Sequence, residues 1–169
     1  MRVVGVGIAA LVVLTACGKR VPPTEVGLAP NSETGTGSQE SSEIDLVELP
    51  AMQADFVAQA GSDTVYFDTD QYSLDMADMD TLDAQARWLI AHPNLRASIE
   101  GHADERGTRE YNLALAERRA NAARDYLIAQ GVPASRLLVT SWGKERPIAS
   151  GSNEEAWAQN RRSVTLVVR

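Results

Sequence analysis

Between residues 64 and 168 the chain alternates strand patterns with helix patterns, and this alternation constrains its fold more than any other feature. The longest helical pattern covers residues 108–130 and ends before Gly131 and Pro133. Its apolar residues recur at steps of three and four, which places them on one buried face of a helix: Leu113, Ala116, Ala120, Ala123 and Leu127. Such a face must be buried against a sheet or another helix.

The other segments complete the alternation. Four are short and rich in β-branched or aromatic residues, which favours strands, and two show helical spacing: strands at 64–67, 95–100, 136–142 and 163–168, and helices at 77–91 and 153–159. The order is therefore βαβαβ(α)β. It predicts an α/β (α+β) sandwich, in which a mixed four-stranded sheet carries two main helices packed on one face.

The first residues are typical of an export signal. Arg2 precedes an apolar run over residues 3–13, which is shorter than the roughly 20 residues of a membrane-spanning helix. Residues 14–17, Leu-Thr-Ala-Cys, resemble a bacterial lipobox. The resemblance implies cleavage after residue 16, a diacylglycerol on the sulfur of Cys17 and acylation of its new amino group. An ordinary signal peptide with an incidental cysteine is the alternative. Gly18, in place of Asp, points by the same resemblance to the outer membrane.

The segment after the lipobox has the composition of a tether. Residues 18–43 are rich in Gly, Pro, Ser, Thr and Glu, and such a stretch buries too little apolar surface to offset its ordering entropy. Residues 44–60 are mildly apolar and leave two possibilities open, a short helix laid on the domain or more linker. The sequence therefore suggests a signal peptide at 1–16, a lipidated and flexible linker at 17–62, and a folded domain at 63–169.

Composition excludes several kinds of site. The chain has a single cysteine, so it forms neither an intramolecular disulfide nor a cysteine metal cluster. Its formal net charge of −7 makes it a poor candidate for general nucleic-acid binding. Its two histidines, His92 and His102, lack metal-ligand spacing, and no metal or other cofactor is expected.

One polar loop and the helix after it carry the most specific motifs. They are Gly101-His-Ala-Asp-Glu-Arg-Gly-Thr108, Tyr111-Asn112, Leu115, Arg118-Arg-Ala-Asn121, Trp142-Gly-Lys-Glu-Arg-Pro147 and Asn160-Arg-Arg162. Over residues 63–169 these motifs resemble the C-terminal domain family of outer membrane protein A, and within it the lipid-anchored, peptidoglycan-associated members. Two departures lie outside the loop: Trp142 stands where Tyr is common, and residues 151–158 carry no family signature.

The resemblance implies a ligand and the residues that hold it. The ligand is the meso-diaminopimelate of the peptidoglycan stem peptide, whose side-chain end is a zwitterion. Asp104 would take its ammonium, and Arg119 would take its carboxylate through a forked contact that Lys cannot reproduce. The remaining candidate contacts come from the family's pattern, from the helix N-terminus and from helical spacing: Phe67, Asp68, Thr108, Asn112 and Leu115.

Several of these residues have structural alternatives. Asp104 and Arg119 could form an internal salt bridge, and Phe67 could belong to the core. Arg106 either braces the loop or contacts the ligand. For His102 we expect a structural role, with metal binding as the alternative. For the remaining motif residues we expect structural or solvent-exposed positions: Arg118 in solvent, and Asn160, Arg161 and Arg162 securing the last strand.

The function that follows is binding, not catalysis. Cell-wall hydrolases use zinc or an activated nucleophile, or carboxylates placed across the bond, whereas Asp104 and Glu105 are adjacent in one loop. The resemblance implies an outer-membrane lipoprotein facing the periplasm, which holds peptidoglycan and binds TolB and other Tol proteins in envelope integrity and cell division. The alternative is a protein-binding envelope adaptor that does not bind peptidoglycan directly.

Overall fold

A computed structural model describes residues 40–169 of the chain. The signal peptide at 1–16, Cys17 and nearly all of the tether at 18–43 lie outside these residues. The elements follow the chain in this order: helix α1 (Glu40–Ala60), strand β1 (Thr64–Tyr66), helix α2 (Met76–Ala91), strand β2 (Arg96–His102), helix α3 (Arg109–Ala129), a 3-10 turn (Ala134–Arg136), strand β3 (Leu137–Gly143), helix α4 (Glu154–Asn160) and strand β4 (Arg162–Val168).

The strands form one mixed sheet in the order β1-β4-β2-β3. Strand β4 is antiparallel to both β1 and β2, whereas β2 and β3 are parallel and α3 crosses between them. Helices α2 and α3 cover one face and share a core with it, whose fully buried members include Leu82, Leu89, Ile99 and Leu127. The mixed four-stranded sheet with two main helices, predicted from the sequence, is confirmed.

Side chains at the helix ends fix where α2 and α3 begin. The Asp75 carboxylate accepts a 2.8 Å hydrogen bond from the Asp78 amide, and the Asp78 carboxylate accepts one from the Asp75 amide, which is a capping box. Asp78 also accepts from the amide of Tyr66 in β1, so the start of α2 is tied to the sheet. Thr108 caps α3 through the amide of Tyr111.

Strand β2 runs two residues further than predicted, to His102, because α3 lies directly against it. A Cβ at Gly101 would come within 1.9 Å of the carbonyl oxygen of Ala116 in α3. Glycine therefore permits the close approach of helix and strand, and the predicted loop begins only at Ala103. Because of this close packing, the first turns of α3 lie beside the C-terminal end of β2.

Helix α1 resolves the two possibilities left open for residues 44–60 in favour of a helix. Phe56 is completely buried and packs edge-on against Trp88, with ring centroids 5.1 Å apart. Asp55 accepts a 2.9 Å hydrogen bond from the Trp88 indole, and Gln53 bonds to the backbone of Thr165 and Val167 in β4. The folded part of the chain therefore begins upstream of the boundary at residue 63 that the sequence suggests.

Membrane-spanning geometry is not found in this part of the chain. From residue 40 to the end, no helix combines the length and the apolar character that crossing a bilayer requires.

Candidate functional site

Two loops and the first half of α3 enclose a pocket of about 270 Å³. One loop follows β1 and the other joins β2 to α3, so they start at the ends of two strands that run in the same direction on either side of β4. The lining residues are Thr69, Asp70, Ala103, Asp104, Arg106, Gly107, Tyr111, Asn112, Leu115 and Arg119. Four of the predicted site residues thus meet around one cavity: Asp104, Asn112, Leu115 and Arg119.

Asp104 is the buried anion of the pocket, with 6% of its surface exposed. Its Oδ1 accepts hydrogen bonds from the backbone amide of Arg106 (3.0 Å) and from Nε of the same residue (3.1 Å). Its Oδ2 accepts from Arg106 Nη2 at 2.6 Å, and Arg161 Nη1 lies 3.5 Å away. Burial alone would raise the pKa of Asp104, but the hydrogen bonds and charge of Arg106, together with Arg161, hold it below its usual value.

Arg119 is the buried cation, and none of its surface is exposed. Its three nitrogens donate to backbone carbonyls: Nε to Gln71 (2.9 Å), Nη1 to His102 (2.9 Å) and Nη2 to Asp68 (3.0 Å). Burial, and then the charge of Arg161, lower its pKa to about 10, so it remains charged at neutral pH. A guanidinium has five N–H groups, and three of these are engaged here.

Asp104 and Arg119 face one pocket without pairing to each other. Within residues 40–169 they form no ion pair, so the internal salt bridge that the sequence left open is not observed. The carboxylate is held by Arg106 and Arg161, and the guanidinium by carbonyls. One fixed negative group and one fixed positive group therefore lie at the wall of the pocket, both of them buried.

The predicted wall residues are buried as the helical spacing suggests. Asn112 is 2% exposed and donates from Nδ2 to the carbonyls of Arg106 (2.7 Å) and Asp104 (3.4 Å), which fixes the loop on α3. Leu115 is buried and supplies an apolar wall. Thr108 caps the helix and is not among the lining residues.

Phe67 and Asp68 lie beside this pocket rather than on it. Both line a neighbouring groove, and Phe67 is also part of the hydrophobic core. Asp68 contributes its backbone carbonyl to Arg119, and the Phe67 ring lies 5.3 Å from the Arg119 guanidinium. They act on the pocket through Arg119, which holds their segment in place.

Three of the lining residues that the sequence does not predict as ligand contacts have polar side chains: Thr69, Asp70 and Tyr111. The Tyr111 hydroxyl donates to Asp70 (3.3 Å), which joins the loop after β1 to the first turn of α3. Arg106 Nη2 donates to Thr69 (3.3 Å), which joins the two loops to each other. Asp70 has a positive φ of 57°, which is uncommon for a residue other than glycine. Tyr111 stands within the motif, but only the folded loops bring it to Asp70.

Helix α4 braces the loop from outside. Arg161 is buried and donates from Nε to the Phe67 carbonyl (2.9 Å) and from Nη2 to Glu154 (2.8 Å). The ring of Trp157 lies 4.2 Å beneath the Arg106 guanidinium, and its Nε1 donates to Glu105. The two arginines that hold Asp104 are thus themselves positioned by α4.

Buried His102 stands at the end of β2 in its neutral form. Burial, with the nearby charges of Arg162 and Arg146, lowers its pKa to about 4. Its carbonyl accepts from Arg119, which gives the residue a structural role. No cluster of three or more His, Cys, Asp or Glu side chains suited to a metal ion occurs within residues 40–169. Arg118 is exposed and lies over the Tyr72 ring at 5.9 Å.

Comparison with known proteins places these features in one family. Residues 66–161 match the OmpA family. A peptidoglycan-associated lipoprotein of Rhizobium meliloti (strain 1021) is 52% identical over 118 residues, covering 70% of this chain and 66% of the relative. A protein of the same name from Agrobacterium fabrum is 49% identical over 140 residues, covering 82% and 75%.

Solved structures show the same fold. The peptidoglycan-associated lipoprotein from Burkholderia pseudomallei superposes with a TM-score of 0.63 at 42% identity, covering 64% of this chain and 92% of that one. The C-terminal domain of Helicobacter pylori MotB superposes with a TM-score of 0.58 at 22% identity, covering 63% and 84%. The second likeness concerns the fold alone.

Proposed function

Because this chain belongs to the OmpA family and, within it, to the peptidoglycan-associated lipoproteins, we propose that it binds peptidoglycan through the diaminopimelate of the stem peptide. The observation that carries the proposal is the pocket in which Asp104 and Arg119 present opposite charges without neutralising each other. The relatives named above are peptidoglycan-associated lipoproteins, and the chain is not an enzyme.

The side-chain end of diaminopimelate matches this pair of charges. Its ammonium and carboxylate are attached to one carbon, so a complementary site needs an anion and a cation held a few ångströms apart. Asp104 supplies the anion, and the N–H groups of Arg119 that do not bond to carbonyls supply the cation. Leu115 offers an apolar surface to the methylene chain between the two ends of the ligand.

Sedimentation with purified sacculi tests the proposal. The full chain is expected to cosediment with sacculi that contain diaminopimelate, and free meso-diaminopimelate is expected to release it. Sacculi with lysine at the same stem position are the matched control, because lysine offers an ammonium without the adjacent carboxylate. Equal retention by both kinds of sacculi would refute recognition of diaminopimelate.

We further propose that Cys17 anchors the chain in the outer membrane, facing the periplasm. The lipobox-like residues 14–17 support this, and each methylene that an acyl chain buries contributes about 0.8 kcal/mol. The Cys17→Ser variant is expected to leave the outer-membrane fraction and to lose incorporated palmitate. A variant that still sediments with that membrane at high salt would contradict the anchor.

The tether and the domain would then join the outer membrane to the cell wall as part of a Tol system in envelope integrity and cell division. TolB is the proposed protein partner, and we propose that it uses the same loops that enclose the pocket. Soluble sacculus fragments are therefore expected to reduce the affinity for TolB. If TolB binds and sacculi do not, the chain is instead a protein-binding adaptor.

A further inference from the structure

Most of the acceptor positions of Asp104 are taken by groups of the protein itself. A carboxylate offers about four positions to hydrogen-bond donors. Three are taken by the backbone amide, Nε and Nη2 of Arg106, at 3.0, 3.1 and 2.6 Å. The fourth forms no hydrogen bond, but the cationic Nη1 of Arg161 lies 3.5 Å from Oδ2 and keeps other cations away from it. An entering ammonium group must therefore displace a donor before it can bind to Asp104.

Arg106 is the donor that can leave. Its side chain is 38% exposed, whereas that of Arg161 is only 7% exposed and is fixed by the Phe67 carbonyl and by Glu154. Away from Asp104, the contacts of Arg106 are the face of Trp157 and a 3.3 Å hydrogen bond to Thr69. Rotation of the side chain frees two acceptor positions while the backbone amide of Arg106 remains in place.

We infer that Arg106 selects for zwitterionic ligands by exchanging its internal carboxylate partner, Asp104, for the carboxylate of the ligand. This inference rests on the proposed function. In the free protein Arg106 pairs with Asp104. In the complex the ligand's ammonium takes Asp104, and its carboxylate lies between Arg119 and the displaced Arg106.

The exchange explains how a lone ammonium group is rejected. A zwitterionic ligand breaks the ion pair between Arg106 and Asp104 and gives each of these residues a new partner, because its ammonium binds Asp104 and its carboxylate binds Arg106. A simple amine satisfies Asp104 alone and leaves the Arg106 guanidinium without its anion. Since Arg106 is partly exposed, water compensates for part of this loss, and the discrimination due to Arg106 is moderate.

Calorimetric titration of the full chain with two stem peptides tests the inference. The peptides are L-Ala-D-isoglutamyl-meso-diaminopimelate and the same peptide with lysine in the third position. For Arg106→Ala we expect the affinity for the lysine peptide to rise roughly tenfold, as one charged hydrogen-bonding competitor is removed. The affinity for the diaminopimelate peptide should change less than about threefold. The variant loses the contact of Arg106 with the ligand's carboxylate, but it also loses the competition of Arg106 for Asp104, and the two effects offset each other.

Arg109→Ala is the matched control. It removes the same charge from the start of α3, where Arg109 is exposed and pairs with Glu145 outside the pocket, and it should leave the ratio of the two affinities unchanged. Arg106→Gln, which keeps a side chain of similar length over Trp157, serves as the second variant if Arg106→Ala loses the native circular dichroism spectrum.

The outcomes separate the inference from the proposed function. A wild-type chain that binds neither peptide, or binds both equally, refutes diaminopimelate recognition and the inference with it. A wild-type chain that prefers diaminopimelate, with an unchanged ratio in both Arg106 variants, refutes the inference alone. If the Arg106 variants bind both peptides more weakly by the same factor, Arg106 is an ordinary brace or ligand contact. If they bind both peptides more tightly by the same factor, Arg106 competes for Asp104 without selecting between ligands. Either result overturns the exchange.

Discussion

Arg119 Nη1 donates a 2.9 Å hydrogen bond to the backbone carbonyl of His102, so the buried cation of the pocket also holds the end of strand β2. The same guanidinium bonds to the carbonyls of Asp68 and Gln71 in the loop after β1. Arg119 therefore fastens the two loops that enclose the pocket while it lines the pocket itself. Replacement of Arg119 therefore changes the two loops as well as the pocket.

Replacement of Arg119 is expected to destabilise the domain. Arg119→Ala removes three hydrogen bonds from a charged donor and leaves three carbonyls to find other partners, which should cost about 3 kcal/mol or more. Arg119→Lys keeps the charge but cannot reach three separated carbonyls, so it should lie between Ala and the wild type. Urea unfolding measures both values.

The neighbouring Arg118→Ala provides the control for Arg119. Arg118 is exposed, and its loss should change the free energy of unfolding by less than about 0.5 kcal/mol. If Arg119→Ala unfolds at the same urea concentration as Arg118→Ala, the carbonyl contacts do not hold the loops.

Asp104→Asn separates binding from folding more cleanly. The amide keeps the shape of the carboxylate but removes the negative charge, so the affinity for diaminopimelate sacculi should fall roughly 10–100-fold. The loop should remain in place, because Asn112 still holds it through backbone carbonyls. Cosedimentation over a range of sacculus concentrations, together with a thermal melt, measures both properties.

Glu105→Gln is the matched control for Asp104. Glu105 follows Asp104 directly but is exposed and bonds to Trp157 outside the pocket, so the same loss of charge should leave sacculus binding unchanged. Equal losses of binding in both variants would assign the effect to net charge. Unchanged binding in both variants would remove Asp104 from the site.

The stability of the domain should depend on pH through His102. Its folded pKa of about 4 lies below the usual value of 6.5, so the unfolded chain binds the proton more readily. The contribution of neutral His102 is complete above pH 6.5 and is lost as the pH falls towards 4. The loss amounts to about 3 kcal/mol over this interval.

The measurement for His102 is urea unfolding at several pH values between 7.5 and 4.5, compared with His102→Gln. The variant lacks the titrating group, so its unfolding free energy should vary less with pH than that of the wild type. Parallel pH profiles of the two proteins would show that His102 is not the group responsible.

The sequence predicts most of the fold because its pattern is local. The steps of three and four from Leu113 to Leu127, and the β-branched strand residues, depend only on neighbours in the chain. The steps of three and four between Asn112, Leu115 and Arg119 likewise place these residues on one side of the helix. The structure places all three on the pocket.

The remainder depends on contacts between distant residues. The carbonyl partners of Arg119 lie 17 to 51 residues away in the chain. Every residue has a backbone carbonyl, so the residue types do not reveal which carbonyls accept these hydrogen bonds. Arg106 could be read as a brace or a ligand contact, but its forked pair with Asp104 depends on the loop conformation. For the same reason the sequence does not predict that Asp70, in the loop after β1, meets Tyr111 in the first turn of α3.

Helix α1 is the clearest example of such dependence, and its contribution can be measured. Its Phe56 is fully buried against Trp88, a contact that links the segment after the tether to α2. Phe56→Ala should reduce the free energy of unfolding by about 3–5 kcal/mol, because it removes a buried ring and leaves a cavity. Gln59→Ala, on the exposed side of α1, should change it by less than about 0.5 kcal/mol.

Truncation tests the same helix independently of the mutation. A chain of residues 63–169 lacks Phe56 and the hydrogen bonds of Gln53 to β4, so it should unfold at lower urea concentration than residues 40–169. The pocket lies among loops that α1 does not line, and any truncated chain that is folded should keep its preference for diaminopimelate sacculi. Equal stability of the two chains would show that residues 40–62 do not stabilise the domain and belong to the linker.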